Sequence, residues 1–333
     1  MKCLICGEND ANKKNSHLIP SFLVADFCSY DGSKKRDKEV MFTITPYEEK
    51  VYTGQIPDTK IEELFDPEAL SEERITNELS NNPVSEDYIF CPRCEKRLSD
   101  YLETPYAAYL KRGENISCDV KYVFWVSVIW RASISKKFGF KLPSELEIDL
   151  QHILHSYLEA KDTGEDIGRL FSSCPFNYRI LRCNKDTGKG FTYFLYNQGV
   201  LSCIIGNLVV VVSFNGRFPD DYQFFGIEEY IKKAHDCNID YSEELFVESE
   251  VFEMLTENFK RYASSEKLKY EIEKVEACWK AVGFKSAMPL PIRTEFLKRL
   301  YSEDSKLGDR HSKERYVQLF NEVLQSFGYL PRE

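Results

Sequence analysis

Two Cys-x-x-Cys pairs far apart in the chain constrain this sequence more than any other feature. Cys3-Leu4-Ile5-Cys6-Gly7 opens it, and Cys91-Pro92-Arg93-Cys94 lies more than eighty residues later. Two cysteines three positions apart fit two corners of a tetrahedral site. Gly7 permits the tight turn that lets backbone N–H groups face the thiolates. Four thiolates close the tetrahedron, and a closed four-cysteine site is structural rather than catalytic. Its bonds to zinc would supply folding energy that a small polar region lacks on its own. A redox pair is the competing reading, but a thioredoxin-like motif needs a strand before it, and Cys3 leaves no room for one.

The remaining composition bounds the setting. Eleven cysteines are an odd number, and close pairs in a reducing compartment indicate metal rather than disulfides. A net charge of −10 excludes a broad polyanion binder, so contact with nucleic acid needs a local basic patch. The N-terminus has no signal-like apolar region. The most apolar run, Leu201 to Phe214, is too short and interrupted to span a membrane. The expectation is a cytoplasmic protein that does not enter a membrane.

The expected fold is α+β: a small ββα zinc module, then a larger, mostly helical domain with an antiparallel meander. The module spans 1–112 and carries a polar, charged insertion at about 28–87. Val40–Ile44 and Tyr88–Phe90 read as bordering strands. Residues 95–112 read as helix with a break at Pro105, and 121–137 as a buried central helix, being apolar on nearly every side. Pro143 and Ser144 start a further helix with Leu146, Leu150, Ile153, Leu154 and Tyr157 at helical spacing. Residues 113–333 form the second domain. Four strands between 176 and 214, joined by three short turn segments, predict the meander. Helices are expected at 226–235, 243–263, 266–283, 290–303 and 312–327.

Between the cysteine pairs lies Asn15-Ser16-His17-Leu18-Ile19-Pro20. A Cys pair, a His–apolar–apolar–Pro stretch and a second Cys pair opening a helix resemble the HNH endonuclease family. The likeness is greatest to divergent treble-clef relatives with a Ser-His-(Ile/Leu)-Ile-Pro stretch. The later WVSVIWRAS segment, Trp125 to Ser133, is also similar to those relatives. The HNH-like part covers under a third of the chain. The resemblance implies that His17 is the general base that polarises the water attacking a phosphodiester of DNA or RNA, a task that suits an imidazole. It implies a Mg2+ or Mn2+ ion beside it, with Cys3, Cys6, Cys91 and Cys94 holding a structural Zn2+. Small nuclease modules fused to larger domains occur in bacterial antiviral systems, and the resemblance extends to that setting.

Departures from the family pattern are specific. Ser16 stands where a metal-binding Asp or His is usual, Glu95 where Asn is frequent, and the late helix His is missing. Glu95 and Glu103, with Ser99 between them at i+4 spacing, are the substitute ligands for a second metal ion, or else solvated helix charges. Lys13, Lys14, Lys34, Lys35 and Arg36 form the candidate phosphate-backbone patch, or a solvated loop among acidic neighbours. His152 and His155 share a helix face but lack the zincin spacing. Core packing is the default for the other cysteines. The alternative to a nuclease is a catalytically degenerate treble-clef zinc protein that binds nucleic acid or a protein partner.

Overall fold

A computed structural model describes residues 1–25, 41–44, 49–52, 82–165, 167, 176–183, 191–219, 221–302 and 313–330. The chain divides into two compact units, one of Met1–Lys35 with Asn82–Thr256 and one of Arg36–Asn81 with Glu257–Glu333. The cysteine pairs and the main sheet therefore share the first unit.

In the first unit, β1 (Ser16–His17) is followed by a short helix, α1 (Ser21–Val24). In the second, β2 (Met41–Ile44) and β3 (Glu49–Tyr52) form an antiparallel hairpin. Back in the first unit, β1 pairs antiparallel with β4 (Ser85–Glu86), His17 opposite Ser85. Main-chain bonds lace the N-terminal segment to residues 88–90: Leu4 N–H to Ile89 O (3.0 Å), Tyr88 N–H to Lys13 O (2.7 Å) and Lys13 N–H to Phe90 O (3.2 Å). These bonds do the work expected of a strand at Tyr88–Phe90, whose backbone is irregular, with Tyr88 at a φ of +61°.

Helix α2 (Pro92–Leu98) begins on the second cysteine pair, with Pro92 in its first turn, where a missing N–H costs nothing. It runs without a break through a π-helical turn, Ser99–Glu103, into α3 (Thr104–Arg112). The sequence predicts a break at Pro105. The wide turn instead shifts the hydrogen-bond partners by one residue, so the proline falls in the first turn of α3 and the helix continues.

Helix α4 (Cys118–Ile134) is the core: every residue from Val120 to Ser133 is buried. Phe124 stacks on Tyr106 at 3.9 Å, Trp130 on Phe90 at 5.9 Å, and Trp125 Nε1 donates to the Tyr106 hydroxyl at 3.1 Å. Helix α5 (Ser144–Thr163) packs against α4 with Leu150, Leu154, Tyr157 and Leu158 buried.

The sheet corrects the expected meander. Strands β5 (Asn177–Cys183), β6 (Thr192–Asn197), β7 (Val200–Ile205) and β8 (Leu208–Ser213) form where predicted, but the order is β6-β7-β8-β5-β9, so β5 pairs with β8 rather than β6. The β6–β7 and β7–β8 hairpins are tight. Gln198 and Gly199 both take positive φ, as a type I′ turn requires, and Gly206 opens the next turn at φ +59°. The burial pattern explains the order. β7 and β8 are buried at every position and must be interior, whereas β6 is half-exposed and serves as an edge.

After α6 (Glu228–Lys233), a helix was expected over 243–263. The chain instead makes β9 (Glu244–Val247), parallel to β5, before entering α7 (Ser249–Ala281). Leu245 and Val247 face the core beside Val251, Phe252 and Leu255. Glu244 meets Arg182 of β5 at 3.4 Å. Period two wins over helical spacing there, and the expected interruption near 264 is absent from α7. In the second unit, α8 (Leu290–Leu300), α9 (Lys313–Ser326) and the later part of α7 close a core around Trp279, Phe296, Phe320 and Leu324. Among the described residues, no helix is long and apolar enough to cross a membrane.

Candidate metal centre and the polar site beside it

The structure brings Cys3, Cys6, Cys91 and Cys94 together, with their sulfur atoms all within 4.8 Å of one another. A zinc tetrathiolate with bonds near 2.3 Å spaces its sulfurs at roughly 3.8 Å, so the set matches in size and donor type. Gly7, at a φ of +67°, turns the first knuckle so that its N–H reaches Cys3 O at 2.8 Å. Cys94 N–H points at Cys91 Sγ (3.5 Å) and Asn9 Nδ2 at Cys6 Sγ (3.7 Å). A hydrogen bond from Cys94 draws the Cys3 thiol down to about 4. The same contact, with burial, pushes Cys94 up, and burial pushes Cys91 up. One site cannot hold four thiolates without a cation among them. The four cysteines form a group that can hold a metal ion such as zinc.

Helix α5 braces both halves of this centre. Gln151 Nε2 donates to Ile5 O at 2.6 Å in the first knuckle. Arg97, buried on α2, donates to Glu159 Oε1 at 2.6 Å and through Nε to Asp162 Oδ2 at 2.8 Å. Its Nη2 also bonds Asp162, which accepts from Tyr101 at 2.7 Å as well.

Next to the centre, the sequence-derived site residues converge around one that sequence reasoning had not singled out, Arg131 of α4. Its Nη1 donates both to His17 O (2.8 Å) and to Glu103 Oε1 (2.7 Å), and its Nε donates to Ser127 O (3.2 Å). The side chain is 1% exposed and Nη2 has no hydrogen bond. His17 is half-buried and Ser16 fully buried. Burial pushes the Glu95 carboxyl up, opposed by the Ser16 hydroxyl and the Arg131 charge and reinforced by Glu103. Ser16 Oγ and Glu95 Oε1 are both buried without a hydrogen bond of normal geometry. The π turn contributes to this convergence. It sweeps fewer degrees per residue than an α turn, which keeps Glu103 closer to the line of Glu95. A signal for Arg131 was present in the sequence: a lone cation in a helix apolar on all sides must be paired.

Other expectations separate. Among the described residues, the cysteine quartet is the sole group of three or more His, Cys, Asp or Glu side chains with ligand atoms this close, so His17, Glu95 and Glu103 do not form one. Lys13 and Lys14 are exposed, Lys14 Nζ lying 5.8 Å from the Tyr88 ring centre. Lys34, Lys35 and Arg36 lie outside the described residues, as does most of the insertion. His155 stands 3.7 Å from Glu159, and neither it nor the exposed His152 joins a metal-ready group. Cys203 is a core residue whose thiol burial pushes up to about 12. Comparison with family models, curated proteins and solved structures finds no match to this chain.

Proposed function

We propose that the first unit is an HNH-like phosphodiesterase acting on DNA or RNA. The cysteine quartet is its structural zinc site and His17 its general base. A cysteine knuckle, the short antiparallel β1/β4 pairing and the α2 helix that opens on the second cysteine pair support the treble-clef reading. The observation that carries the reading is how His17 is held. Its backbone is pinned on one side by pairing with Ser85 and on the other by Arg131 Nη1, while the residue stays half-exposed. A base must be positioned before its pKa matters. The imidazole takes a proton from water as the water oxygen bonds phosphorus. The bond from phosphorus to the leaving oxygen breaks, and that oxygen takes up a proton from solvent.

The second metal ion that the HNH resemblance implies does not fit these residues. Ser16 offers a hydroxyl where a carboxylate or imidazole would serve, and Glu103 already accepts from a buried guanidinium.

The test is cleavage of plasmid DNA and of structured RNA by zinc-loaded wild type and His17→Ala. The expected loss is about 10²–10⁴-fold, as for removal of a general base. Equal rates in both, or no cleavage by either, would overturn the reading. The same crowding of Glu103 by Arg131 favours a second reading, a degenerate treble clef that binds nucleic acid or a protein. It predicts binding that His17→Ala leaves intact.

A further inference from the structure

We infer that Arg131 is the built-in cation of the His17 site, and that Glu95 and Glu103 do not hold a divalent metal ion. The inference rests on the phosphodiesterase reading for what that charge would do to a phosphate, but not for the statement about metal binding.

Three observations carry it. First, the guanidinium reaches the site from the core helix and is desolvated, with only 1% of its side chain exposed. Its hydrogen bonds to Glu103 Oε1 and His17 O therefore act in a medium that screens little. Second, the carboxylate most available to a metal, Glu103, is already neutralised by that contact at 2.7 Å. A divalent ion would have to displace Arg131 from Glu103 or sit beside it, and a second cation against a buried one is repelled. Third, ligand atoms of His17, Glu95 and Glu103 are not drawn together, whereas those of the cysteine quartet in the same unit are. The fold can preorganise a metal site, and among these residues it preorganises an ion pair instead.

Arg131 Nη2 is itself buried and carries no hydrogen bond. The guanidinium therefore does not touch a phosphate. It acts on the site through its charge and through the bonds that hold His17 O and Glu103 in place, a fixed positive potential of the kind that stabilises charge developing nearby.

The test uses the full-length, zinc-loaded protein. Mn2+ is titrated while the histidine ring protons are followed by NMR, with His17→Gln assigning the His17 signals. Stoichiometric Mn2+ is expected to broaden the His17 signals no more than those of exposed His152 and His235. Selective broadening of His17 that E103Q abolishes would overturn the inference. A folded R131M variant is expected to gain the Mn2+ effect, since Glu103 then loses the cation that neutralises it. If R131M does not retain zinc and helical circular dichroism, the wild-type titration decides alone. Cleavage in buffer freed of divalent ions, with zinc content verified, separates the two claims. Cleavage that needs added Mg2+, together with Mn2+ at His17, overturns this inference and leaves the nuclease reading standing. No cleavage under any condition, with no Mn2+ at His17, overturns the nuclease reading and leaves this inference standing.

Discussion

Replacing Arg97 with Met tests how α5 secures the helix that carries Cys94. Arg97 is buried, and its guanidinium makes charge-assisted bonds to both Glu159 and Asp162. A fully buried pair broken on one side costs about 3–5 kcal/mol. Here the side chains of Asp162 and Glu159 are 27% and 40% exposed and regain water when the partner is lost. That discounts each contact to roughly 1 kcal/mol, for a total near 2 kcal/mol. Methionine keeps most of the packing of the aliphatic stem.

The chain has three tryptophans, so a Trp279→Phe background leaves Trp125 and Trp130 of α4 as fluorescence reporters of the first unit. Urea unfolding in that background should show the loss as a lower midpoint at unchanged slope. The effect should also depend on pH in a fixed direction. Arg97 holds the Asp162 carboxyl down to about 2 and lowers Glu159 as well. A depressed carboxylate contributes its stability above its unfolded pKa and loses it as pH falls through the folded one. The gap between wild type and Arg97→Met should therefore be full at pH 6 and shrink between about pH 4 and pH 2. A loss below roughly 0.5 kcal/mol, typical of surface pairs, would refute the reasoning. So would a gap that is constant down to pH 2.

Two other perturbations have clear outcomes. Cys94→Ser should lower bound zinc, read by elemental analysis, from about one ion per chain to near none, and destabilise the first unit. Retained stoichiometric zinc would remove Cys94 from the ligand set. Tyr106→Phe leaves the Trp125 indole N–H buried without its acceptor and should cost about 1–3 kcal/mol in urea unfolding. A neutral result would mean that water replaces the hydroxyl.

Much of this arrangement was legible in the residues. The spacing of Cys3, Cys6, Cys91 and Cys94 gave the quartet because knuckle geometry is local and needs few residues. The all-round apolarity of Val120–Ser133 gave the buried helix for the same reason. The partner of β5 was not legible. Short turns announce which strands are neighbours in sequence, but Ile180 meets Val210 and Glu244 across long stretches of chain. The contrast between Leu208–Ser213, apolar throughout, and Thr192–Asn197, mixed, was the unused clue to interior and edge. At the candidate site, His17, Glu95 and Glu103 were all named from sequence. Their hub was missed because Arg131 lies 114 residues from His17 and belongs to another element. Local pattern reading carries no signal of such distance, beyond the anomaly of one arginine in an apolar helix.

The cysteine quartet also bears on how the chain between its halves can vary. A metal ion that joins Cys6 to Cys91 closes a segment of roughly eighty residues, and the entropy of closing a flexible loop rises only with the logarithm of its length. Doubling that segment would add about 0.6 kcal/mol, small beside the roughly 10–16 kcal/mol of a structural zinc site. The centre therefore fixes the two ends firmly while remaining nearly indifferent to what is spliced between them. Length change between α1 and β4 is thermodynamically cheap on this scale, and changes there can be selected for their own effects without loosening the scaffold around His17.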